Sequence, residues 1–134
     1  MLHFPSASQI ESIIQHARED FPIECCGIIA GKDNLVERII RVENELQSET
    51  EFSMNGDEVN AALKEIDLYG LEFMGVYHSH PSSTAYPSFS DVNKAIFPEV
   101  DHLIISLKDQ NNPKIRNFKI KGSSVFEEPF IVAA

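Results

Sequence analysis

Residues 23–44, "IECCGIIAGKDNLVERIIRVEN", decide the fold class. They read as two strands, about 23–30 and 34–42, joined by a short turn around Gly31-Lys32-Asp33-Asn34. The first is apolar on both faces, the pattern of a central strand covered on each side. Glu24 stands out in it. A carboxyl entering such a strand either lies at its exposed start or has surroundings that offset its desolvation. Position alone favours the exposed start. Burial would instead raise its pKa towards neutrality and suit it to moving protons.

Upstream, "SASQIESIIQHARED" (6–20) sets Ile10, Ile13, Ile14 and Ala17 at helical spacing, with Ser6 or Ser8 as N-cap and Phe21-Pro22 as the stop. Downstream, 44–50 is a polar loop and "TEFSM" a candidate short strand. Asn55-Gly56-Asp57 opens a second helix striped by Val59, Ala62, Leu63 and Ile66 and ended by Gly70. Residues 71–79 read as a strand, about 89–97 as a third helix, and 101–107 and 113–122 as strands. Residues 125–133 add an edge strand interrupted by Pro129. This order predicts one domain over 1–134, a mixed sheet with helices on both faces, of α/β or α+β class.

The chain of 134 residues carries 11 basic and 21 acidic side chains, a net charge of −10. It has no Lys/Arg run, so nucleic acid and anionic membranes are not expected partners. The adjacent Cys25 and Cys26 offer no disulfide framework and read as small core side chains. No apolar stretch reaches membrane-spanning length and the N-terminus lacks a signal-peptide pattern, so a cytoplasmic protein is expected.

The chemistry concentrates in "GVYHSHPSSTAYPSFSDV", 75–92. On a strand, His78 and His80 share a face with Cα atoms roughly 6.5–7 Å apart. Alone, the pair reads more readily as solvent-facing histidines before a Pro turn. A loop of seven residues, Pro81 to Pro87, then leads to Ser88 and, three further on, Asp91. Ser-x-x-Asp is also a helix capping pattern. Two histidines and one carboxylate would leave a fourth tetrahedral position for water, as catalytic zinc requires; the same set suits non-haem iron. His3 and His16 read as surface residues, and His102 as a strand-start residue without a partner. Ser79 points to the opposite face from the two imidazoles, as a packing or orienting residue.

"PIECCGIIAG" together with "GVYHSHPSSTAYPSFSDV" resembles the JAMM-motif (JAB/MPN) metallopeptidases, in which an upstream Glu is followed by His-x-His-Pro and then Ser-x-x-Asp. Pro22, Cys26 and Gly27 are similar to the context in compact prokaryotic members. The resemblance implies a cytidine-deaminase-like mixed sheet and a zinc-dependent hydrolase. Such an enzyme cuts a peptide or isopeptide bond after the C-terminal glycine of a ubiquitin-like protein. It implies His78, His80 and Asp91 as zinc ligands, Glu24 as general base and Ser88 as donor to the oxyanion. The chain has little room for the insertions that hold ubiquitin in eukaryotic members, which points to a sulfur-carrier protein with a Gly-Gly C-terminus as partner. The alternative is a catalytically silent scaffold or binding module on the same fold. A zinc deaminase would need His-x-Glu and Pro-Cys-x-x-Cys, which the sequence lacks.

Overall fold

The computed structural model describes residues 1–95 and 98–133. The hairpin expected at 23–42 forms as β2 (Cys26–Lys32) and β3 (Leu35–Val42), paired antiparallel. Between them Asp33 and Asn34 take φ of 53° and 69°, the left-handed pair with which a two-residue turn matches strand twist. On the other side of β2 runs β4 (Glu72–His80), antiparallel, and beside it β5 (Asp101–Ser106), parallel to β4. β6 (Lys114–Lys121) and β7 (Ser124–Glu128) extend the sheet by antiparallel pairing. Beyond β3 lie β1 (Leu2–Phe4) and β8 (Phe130–Val132), both parallel additions. The order is β7-β6-β5-β4-β2-β3-β1-β8.

Helix α1 (Ala7–Asp20) starts from a capping box in which the Ser6 side chain and Gln9 satisfy each other's free amides. Its stripe of Ile10, Ile13, Ile14 and Ala17 packs on one face of the sheet with Leu2, Phe4, Ile29, Tyr77, Leu103 and Ile105. Helix α2 (Gly56–Leu68), capped by Asn55, covers the other face through Ala62 and Ile66 against Cys26, Ile28 and Ala30. The alternate residues of β2 therefore reach two different cores, as its apolar pattern requires. No described helix is long and apolar enough to cross a membrane.

Some expectations need correction. β1 was not expected; three residues are too short for a period-2 signal. "TEFSM" contributes only a single bridge, Asn44 to Met54, because Asn44 side-chain bonds replace a ladder there. Residues 125–133 form two strands, β7 and β8, on opposite edges of one sheet, with Pro129 alone between them. The one-residue link requires the sheet to curl so that its two edges approach at residues 128–130. Helix α3 spans Phe89–Lys94; Ile96 and Phe97, within its expected reach, lie outside the described residues.

Candidate metal centre

His78 and His80 both lie in β4, two apart and on the α2 face, and both are buried. β4 is flanked on each side by a strand, so its backbone is fixed along its length. The loop after His80 then returns the chain to α3, whose N-cap is Ser88. Ser88 Oγ accepts from the Asp91 amide at 3.0 Å, and the Ser88 amide donates to Asp91 Oδ2 at 2.9 Å. This capping box fixes the carboxylate. The same Oδ2 lies 3.0 Å from His78 Nε2 and 3.0 Å from His80 Nε2, and the two Nε2 atoms are 3.0 Å apart. Capping and convergence are properties of one geometry.

The protonation pattern of this triangle favours a cation. His80 Nδ1 lies 2.7 Å from the Thr84 carbonyl, an acceptor, so Nδ1 carries the proton and donates. Burial would lower the His80 pKa, but Asp91 and the Thr84 carbonyl raise it, so without a metal a proton on Nε2 is favoured. In the neutral, ligating form the Nε2 lone pair faces Asp91 and His78. Acceptors 3.0 Å apart repel unless positive charge lies among them. The edges are comparable with the roughly 3.3 Å separating donors 2.0–2.1 Å from a tetrahedral ion. Burial lowers the His78 pKa and so favours the neutral, ligating form. Burial alone would raise the Asp91 carboxyl, but hydrogen bonds from the two imidazoles hold it well below the usual carboxylate range. The donor set fits a divalent metal.

Glu24 is 3% exposed, so the exposed-start reading does not hold. It sits two residues before β2. Its pKa is pushed up to about 8, chiefly by burial, with His80 opposing and Asp91 and Glu51 reinforcing. Cys26, two residues on, faces His78 across the ladder, which sets the Glu24 end of the strand beside the histidine end of β4. Ser79, fully buried, accepts from the Cys25 amide at 2.8 Å, and its own amide donates to the Cys25 carbonyl at 3.0 Å. It ties the Glu24 end of β2 to the histidine end of β4.

One of the sequence readings fails, and one contact lies outside all of them. His16 is not a surface residue: it is buried, with Nδ1 2.7 Å from the Tyr77 hydroxyl and Nε2 3.2 Å from Asp20. Phe52, in the loop after β3, stacks on His78 with ring centroids 4.5 Å apart; nothing local in the sequence signals this. Beside the triangle opens a largely apolar cavity of about 360 Å³, lined by Phe52, Met54, Val59, Leu63, Phe73 and His102 among others. His102 opens β5 as expected, and its Nε2 has no partner among the described residues.

A mixed sheet between helices, carrying a buried imidazole pair and a carboxylate on the following helix, defines an α/β domain with a candidate mononuclear metal centre. The chain belongs to the prokaryotic JAB-domain family: residues 6–121 match the family described as prokaryotic homologs of the JAB domain. It is 32% identical over 128 residues to the CysO-cysteine peptidase of Mycobacterium tuberculosis, covering 92% of this chain and 86% of that one. It is 34% identical over 103 residues to the desampylase of Pyrococcus furiosus, covering 77% of this chain and 74% of that one. Among solved structures, a protein from Desulfitobacterium hafniense superposes with a TM-score of 0.90 at 35% identity, over 99% of this chain and 93% of that one.

Proposed function

We propose that this chain is a single-domain, cytoplasmic zinc peptidase. It hydrolyses the peptide or isopeptide bond that follows the C-terminal glycine of a ubiquitin-like or sulfur-carrier protein. The observation that carries this reading is the buried His78–His80–Asp91 triangle, with the buried Glu24 two residues before the strand that pairs with the histidine strand. The names of the two similar enzymes support the reaction and the substrate class.

His78, His80 and Asp91 would hold the zinc, which when bound acidifies water and polarises a carbonyl. Glu24 takes a proton from the attacking water and returns it to the leaving amine; a carboxyl with a raised pKa suits both tasks. Ser88 accepts one hydrogen bond from the Asp91 amide, which leaves its hydroxyl proton to donate to the developing oxyanion. Glycines at the end of the carrier tail offer only backbone, so recognition next to the scissile bond is by main-chain pairing.

The test is elemental analysis of the purified protein, followed by cleavage of Gly-Gly carrier-protein fusions with and without chelator. Stoichiometric zinc with chelator-sensitive cleavage is expected. Zinc without cleavage of any such fusion would favour the binding-module reading. Glu24→Gln should keep zinc and lose turnover, and Asp91→Ala should lose zinc. Full zinc occupancy in Asp91→Ala would refute the ligand set.

A further inference from the structure

We infer that Asn44 is a positioning residue that sets the Glu24 backbone and, with it, the loop covering the metal triangle. This rests on the functional reading above. Glu24 precedes β2 by two residues, so no sheet ladder fixes it. Its peptide groups are held by the loop after β3 instead. The Glu24 amide donates to the Ser48 carbonyl at 2.9 Å, and the Glu24 carbonyl accepts from Asn44 Nδ2 at 3.0 Å.

Asn44 is 3% exposed and uses all its hydrogen-bonding capacity. Nδ2 donates also to the Glu51 carbonyl at 3.0 Å, and Oδ1 accepts from the Leu46 and Ser53 amides at 3.1 and 3.0 Å. Two carbonyls on one atom and two amides on the other leave a single possible orientation of the amide. The loop so fastened carries Phe52, stacked on His78, and Glu51, whose carboxylate accepts from Ser90 Oγ at 2.9 Å and lies 3.7 Å from Lys94 Nζ on α3. One buried amide thus sets the proposed base and the segment that touches both the histidine strand and the aspartate helix.

The test is Asn44→Asp, which keeps the acceptor and removes both donors, with Asn44→Ser as a neutral second variant. Both should retain the parent's zinc content and a KM close to the parent's. Their kcat should fall on the order of 10- to 100-fold, as for other supporting contacts of a metal site. In the Glu24→Gln background, neither should lower the residual rate further. In metal-free protein, hydrogen exchange at the Glu24 amide should accelerate in both variants. An unchanged kcat, a full additional loss in the Glu24→Gln background, or unchanged exchange at Glu24 would each overturn the assignment. Full turnover of Glu24→Gln itself would instead remove Glu24 from the chemistry, a failure of the functional reading that leaves the exchange test of Asn44 standing.

Discussion

Asp91 Oδ2 accepts the Ser88 amide at 2.9 Å while facing both imidazoles at 3.0 Å, so the cap that starts α3 also aims the carboxylate. Ser88→Ala removes the cap acceptor and the proposed oxyanion donor together. It should lower kcat by on the order of 10²–10³-fold and stability by about 1 kcal/mol, read by steady-state kinetics and urea unfolding. Glu24 gives a pH signature in metal-free protein. Its pKa rises from 4.5 to about 8 on folding, through burial opposed by His80 and Lys94 and reinforced by Asp91 and Glu51. Between those values the unfolded chain has lost the proton and the folded one keeps it, so stability present below pH 4.5 is lost as pH rises through 8. Glu24→Gln cannot ionise. Its metal-free melting temperature should exceed the parent's at pH 8 and match it near pH 4. Burial also pushes the Cys25 thiol up to about 12 and the Cys26 thiol higher still. An alkylating reagent at neutral pH should modify neither in folded protein and both in urea.

At this scale the triangle was legible because its spacing is local: His-x-His on one strand face, then a cap three residues before an acid. The state of Glu24 was not, since its burial depends on a loop reached only through Asn44 and Ser48, 20 and 24 positions away. His16 was misread for the same reason, its partner Tyr77 lying 61 residues on.

Among elements, β2 is the most constrained. Its alternate side chains enter separate cores, and at Gly27 the strand lies directly under the Tyr77 ring. A Cβ there would sit 2.1 Å from Tyr77 Cε2, and Tyr77 is fully buried and tied through its hydroxyl to His16. Gly27→Ala should therefore destabilise by about 1–3 kcal/mol, measured as a lower urea midpoint. The bounds of α1, β3, α2 and β4 followed from caps, periodicity and turn residues present in the sequence. β1 and the division of 125–133 did not, because strands of three residues carry no usable pattern and edge choice is a tertiary decision.

For the whole molecule, attachment of β8 depends on few contacts, since its one strand neighbour is β1. Phe130 of β8 meets Phe4 of β1 edge-on, ring centroids 6.1 Å apart and 83° between planes, far along the sheet from β4. Phe130→Ala should cost about 2 kcal/mol, from lost apolar burial and the aromatic pair. Its metal content and its kcat at low denaturant should stay at the parent's level. The pairing of Leu2–Phe4 with Phe130–Val132 joins segments separated by most of the chain. Such contacts slow folding, since a long loop must close before they contribute. During synthesis, then, the opening strand leaves the ribosome early with one flank bare and waits for residue 132 to clear the exit tunnel, so nascent chains stalled before that point should be the ones that clump.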